Sequence, residues 1–155
     1  MKSLKDQIDL LESLIPKYKD MHTKVSQATV GWHIEHALLS IRRIIQGVKA
    51  SDASAYKRSY KLNRIIVLGF RIIPRGRAKS PKVVEPEGII NPASLKLSVY
   101  KTRQMFGEID SLTKNQHFSH PFLGILNKRP MRKFLKVHTA HHLRIIKDII
   151  KAASN

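Results

Sequence analysis

Apolar residues recur every three or four positions through most of the chain, the period of a helix and not of a strand. They fall first at Leu4, Ile8, Leu11, Leu14 and Ile15, which predicts a helix from Leu4 to Leu14 that Pro16 bends or interrupts. Ile34, Leu38, Ile41, Ile45 and Val48 predict a second helix over Thr29 to Val48, with Thr29 as its N-cap. Tyr56 to Ile73 reads as a weaker helix, because β-branched Ile65, Ile66, Val67, Ile72 and Ile73 suit a strand equally well. Without a partner strand elsewhere, helix is the expectation. Leu97, Tyr100, Met105, Ile109 and Leu112 predict a helix from Ala93 to Leu112, capped by Ser94 or Asn91, and a last helix runs from about Pro130 to Ala152.

Two connections separate these segments. Pro74, Pro81, Pro86 and Pro92, with Gly76 and Gly88, interrupt regular structure and predict a long Pro-rich loop. Loops of that length are usually functional or mobile. Thr113 to Asn127 reads as a polar connection carrying the insert His120-Pro121-Phe122-Leu123-Gly124. Four long helices and one weaker helix, with no internal repeat, predict an all-α fold: one up-and-down helical bundle forming a single domain over residues 1–155.

Composition narrows the chemistry. The chain holds 155 residues, 42% of them apolar, which suffices for one core. It has no cysteine, so a disulfide framework, a cysteine-ligated zinc and a thiol nucleophile are all excluded. Any metal must sit on His, Asp or Glu. The opening residues lack a signal-peptide core, and the longest apolar run, Ile65 to Phe70, is far below the roughly 20 residues of a membrane span. A soluble cytoplasmic protein without a membrane partner is the expectation.

Three of the eight histidines, His138, His141 and His142, fall within five residues of the last helix. On a helical wheel Met131, Phe134, Leu135, Ile145, Ile146 and Ile149 define its buried arc. His138 and His142 lie near the middle of that arc and His141 toward its edge. An i, i+4 pair sets two imidazoles one turn apart on one face, close enough to share a metal ion, although a lone pair of this kind more often makes ordinary hydrogen bonds. The second helix offers a third ligand in His33 or His36. Its apolar arc centres near Leu38 and Ile41, so periodicity favours His33.

The run TVGWHIEHALL, the HPFLG insert and the stretch FLKVHTAHHLRIIKDI together resemble the DinB/YfiT-like superfamily, in the branch related to the DUF1569 proteins, from the second helix to the end of the chain. The resemblance implies a four-helix bundle in an up-down-down-up arrangement, here with an extra short helix and the Pro-rich loop. It also implies a divalent metal held by three histidines, which match His36, His138 and His142 of this sequence, leaving His33 as the fallback from the second helix. His141 and His120 match no ligand position of the wider superfamily. They line the cavity or hold the loop, and a histidine preceding Pro121 can simply fix a turn.

Three neutral imidazoles leave open positions on zinc, nickel, manganese or iron. The resemblance implies either transfer of a low-molecular-weight thiol such as bacillithiol or mycothiol to a small-molecule electrophile, or metal-dependent hydrolysis. It also implies a homodimer paired through outer helices. With no cysteine, the chain would borrow its nucleophile from a thiol cosubstrate. Glu35 is a candidate general base or partner of a ligand, unless it is only a solvated surface residue.

Charge supplies an alternative. Twenty-nine Lys and Arg against 11 Asp and Glu leave a formal +18. Ala53 to Lys82 holds nine basic residues and no acidic one, and Lys128 to Lys151 holds eight against Asp148 alone. Such a surface could bind nucleic acid through its phosphates. The aromatic residues there are few, however, and no nucleic-acid-binding motif is present. Arg75, Arg77, Lys79 and Lys82 have a more local reading, as cations that steer an anionic substrate to the bundle mouth.

Overall fold

The computed structural model describes residues 1–76 and 81–154. Its helices are α1 (Leu4–Ser13), α2 (Val30–Lys49), α3 (Leu62–Phe70), α4 (Pro92–Gln104), α5 (Phe106–Ser111) and α6 (Lys128–Ala153). A two-stranded antiparallel hairpin, β1 (His117–His120) with β2 (Gly124–Asn127), precedes α6. The fold is therefore mostly helical. No described helix is long and apolar enough to cross a membrane.

The helix ends follow local chemistry. Ser3 and Asp6 close a capping box on α1, and Pro16 starts a separate 3-10 turn at Ile15–Lys17 instead of kinking a longer helix. Thr29 caps α2, its hydroxyl accepting from the Trp32 amide at 3.2 Å. Asn91 caps α4, and the Ser94 hydroxyl answers by accepting from the Asn91 amide at 3.0 Å. Ile8 and Leu11 of α1, Ile34, Leu38, Ile41 and Ile45 of α2, Leu95 and Val99 of α4, and Leu135, Ile146 and Ile149 of α6 share one fully buried core. Helix α2 is central, packing chiefly on α6 and α4.

Three expectations need correction. The helix expected over Ala93 to Leu112 breaks at Met105, where the Met105 amide bonds to Thr102 and the Glu108 amide to Met105, three residues back. The helix expected over Tyr56 to Ile73 forms only between Leu62 and Phe70. The segment before it is held by the hairpin, because the Ser59 hydroxyl accepts from the Ile125 amide at 2.7 Å. Arg71, in the left-handed region at φ 59°, stops the helix.

The third correction is to the all-α reading. The connection expected over Thr113 to Asn127 contains the hairpin, in the register Phe118 opposite Leu126 and His120 opposite Gly124. Leu126 enters the core at 0% exposure. Gly124 has φ +71°, and a Cβ there would lie 2.5 Å from the Ser59 hydroxyl, so both backbone and packing require glycine.

Candidate metal centre

The first turns of α2 carry His33 and His36, and the middle of α6 carries His138, His141 and His142. Packing of α2 on α6 brings His36, His138 and His142 together: one ring nitrogen of each lies within 4.8 Å of the others. The ring of His142 is centred 4.6 Å from those of both His36 and His138. Nitrogens on one tetrahedral zinc sit about 3.4 Å apart, so side-chain adjustment on a fixed helix pair covers the difference. Gly31 permits the start of this site, since a Cβ there would press within 3.0 Å of the Tyr18 carbonyl oxygen and of Ile90.

Hydrogen bonds separate His36 from His33. Nδ1 of His36 lies 2.8 Å from the Val84 carbonyl oxygen. A carbonyl only accepts, so Nδ1 carries the proton and Nε2 keeps a lone pair, the ligand form of imidazole. The Trp32 indole stacks on the same ring at 4.8 Å and 5°, fixing its plane. His33 has both nitrogens engaged, Nε2 with the Ser26 hydroxyl at 2.9 Å and Nδ1 with Nδ1 of His142 at 3.0 Å. Both histidines are buried, at 4% and 3% exposure, so burial alone does not choose between them. The periodicity that favoured His33 is overruled by these partners.

The donor set suits a divalent cation. Nδ1 of His138 is buried without a hydrogen-bond partner among the described residues. Burial, and then the surrounding imidazoles, hold His138 and His142 well below the ordinary histidine range. Burial lowers His36 too, opposed by its bond to Val84 and by the Glu85 carboxylate. Burial and the proximity of His36, His141 and Arg75 push His33 down to about 4. The cluster is thus neutral at neutral pH, as metal ligation requires.

The remaining expected site residues fall in several places. His141 packs edge-on against His142 at 5.2 Å and is pushed down to about 4 by burial, then by Arg144 and Arg75. His120 is outside the cluster, and its Nδ1 accepts from the Phe122 and Leu123 amides at 3.2 Å each, fixing the hairpin turn. Phe134 links it to the site, packing against both His120 and His138. Glu35 turns away from the histidines, pairing with Arg42 at 2.9 Å while Arg42 also bonds Ser98 and Thr102 of α4. The general-base reading of Glu35 therefore lacks a geometric basis.

Arg75 pairs with Asp148 at 2.7 Å. Lys82 lines a different groove, which it shares with Glu35 and Arg42. Arg77 and Lys79 lie outside the described residues. Trp32, Ser26 and the Val84 carbonyl are site components that the periodicity of the chain does not single out. Trp32 had one available signal, its place in the first turn beside His33 and His36; Ser26 and a backbone carbonyl had none. No family model matches the chain, and neither a curated protein nor a solved structure matches it.

Proposed function

We propose that the protein binds a divalent metal ion through His36, His138 and His142 and uses it in small-molecule chemistry, as the DinB/YfiT-like resemblance implies. On this reading α1, α2, α4 and α6 correspond to the four-helix bundle in its up-down-down-up order, with α3 as the extra helix. The observation that carries the proposal is the convergence of three neutral imidazole nitrogens within 4.8 Å, from two helices that share the core.

Bound there, zinc, nickel, manganese or iron would supply a Lewis acid that brings the pKa of water or of a thiol toward neutrality. The chain's own residues set up the site. Val84 fixes the tautomer of His36, and Trp32 holds its ring. His33 can accept at Nδ1 from the Nδ1–H of His142 and donate its own Nε2–H in a hydrogen bond to the Ser26 hydroxyl, which leaves Nε2 of His142 free as a ligand. Since the chain contains no cysteine, a thiol-transfer reaction takes its sulfur nucleophile from a low-molecular-weight cosubstrate, whereas hydrolysis uses water.

Elemental analysis of freshly purified protein tests the binding claim, with about one metal per chain expected. Protein that remains metal-free after incubation with zinc, nickel, manganese and iron would remove the basis for the proposal. For the chemistry, metal-dependent loss of free thiol in the presence of an electrophile indicates the transferase and metal-dependent ester cleavage the hydrolase.

A further inference from the structure

Helix α3 reaches the core through Val67 and Leu68 but exposes its other apolar side chains. Leu62, Ile65 and Phe70 are 72%, 66% and 73% exposed, and Ile66 is exposed beside them. On a helical wheel these four span about 140°, opposite buried Val67 and Leu68. Ile72 continues the apolar surface beyond the helix, and Tyr60 precedes it at 77% exposure, with the Arg58 guanidinium 5.0 Å from its ring centre.

This face meets a basic groove at Ile65. The groove, of about 1050 Å³, runs between α3 and the first turns of α6. Nine of its sixteen lining residues are Lys or Arg, and none is acidic. Arg129 and Lys133, one turn apart on exposed α6, take part in no ion pair among the described residues.

We propose that α3 and the start of α6 form a docking face for the surface of an anionic phospholipid bilayer. Two chemistries must be satisfied at once. The cations require a negative partner, and an exposed stripe of Leu, Ile and Phe requires a partner with hydrocarbon to cover it. A second copy of the chain would cover the stripe but set two basic grooves against each other. A nucleic acid would satisfy the cations, yet its phosphates leave the aliphatic side chains uncovered. A bilayer surface offers both, anionic headgroups for the groove and acyl chains for the apolar stripe that adjoins it at Ile65. Tyr60 and Arg58, in the groove lining, suit the headgroup level. This inference is independent of the metal site.

The test is sedimentation of the full chain with vesicles of phosphatidylcholine alone and of phosphatidylcholine mixed with phosphatidylglycerol. Binding is expected only with phosphatidylglycerol, falling about tenfold or more in Ile65→Ser/Phe70→Ser and, separately, in Arg129→Glu/Lys133→Glu. All four positions are solvent-exposed, and circular dichroism checks that the variants stay folded. Phe70→Trp should shift its emission to the blue on these vesicles. Three outcomes overturn the proposal: no binding to anionic vesicles; binding that the charge variant abolishes but the apolar variant leaves intact, with equal retention on single-stranded DNA, which assigns the groove to nucleic acid; or a concentration-dependent dimer, lost in Ile65→Ser/Phe70→Ser, which assigns the stripe to a second copy.

Discussion

Nδ1 of His33 faces Nδ1 of His142 at 3.0 Å, so one imidazole donates and the other accepts. The two possible directions differ in consequence. If His142 donates, its Nε2 is a free lone pair and His33 donates onward to Ser26, whose hydroxyl also accepts from the Ala28 amide at 3.1 Å. If His33 donates, Nε2 of neutral His142 carries the proton and cannot ligate. A metal on His142 selects the first direction, which makes His33 a residue that orients a ligand.

That role predicts an intermediate defect. His33→Ala should weaken zinc binding about 10–100-fold, the usual cost of losing a ligand's hydrogen-bond partner. His36→Ala should reduce it much further. Equal losses in the two variants, measured by competition with a chromogenic chelator, would return His33 to the ligand set.

His120 predicts a pH dependence. Burial pushes it down to about 4, and its Nδ1 lone pair holds two amides of the hairpin turn. The folded pKa lies below the unfolded value of 6.5, so its contribution is fully present above pH 6.5 and is lost as pH falls toward 4. Within that window this residue should contribute a slope of up to about 1.4 kcal/mol per pH unit. Urea midpoints of wild type and His120→Asn should therefore converge as pH falls from 6.5 to 4. Parallel profiles would show that protonation of His120 is not coupled to folding.

Two glycines should behave oppositely. Gly124→Ala places a Cβ at φ +71° and against Ser59, and should cost about 1–3 kcal/mol. Gly107 lies within α5 with nothing inside 4 Å of an added Cβ, so Gly107→Ala should be neutral or stabilise by up to about 1 kcal/mol. Thermal melts of the two variants compare these effects directly. A tolerated alanine at 124 would contradict the hairpin geometry.

The core makes a coarser prediction. Ile41→Ala empties a fully buried position on the central helix and should cost about 2–5 kcal/mol by chemical denaturation. A cost below about 1 kcal/mol would mean that α2 does not pack as described.

Helix α2 was legible in the sequence because a capping threonine precedes five apolar positions in one phase, and burial of that stripe fixes the helix. The hairpin was not, since four-residue strands carry too little alternation and only Leu126 among their apolar positions is fully buried. Tyr56 to Lys61 was misread for a related reason, as the bond that holds Ser59 goes to Ile125, 66 residues away. For the site, periodicity placed His138 and His142 on the buried arc but chose His33 over His36. The wheel registers burial, which the two share. What separates them is which groups occupy their ring nitrogens, and one of those groups is the carbonyl of Val84, 48 residues further along the chain.

Calorimetric titration of metal-free protein with zinc, in wild type and in His138→Ala, bears most directly on the metal centre. One zinc per wild-type chain is predicted, bound far more tightly than millimolar and lost in the variant, with thermal stabilisation by zinc lost in parallel. Wild-type binding no tighter than about millimolar, roughly −4 kcal/mol, or tight binding that survives in His138→Ala, would contradict it.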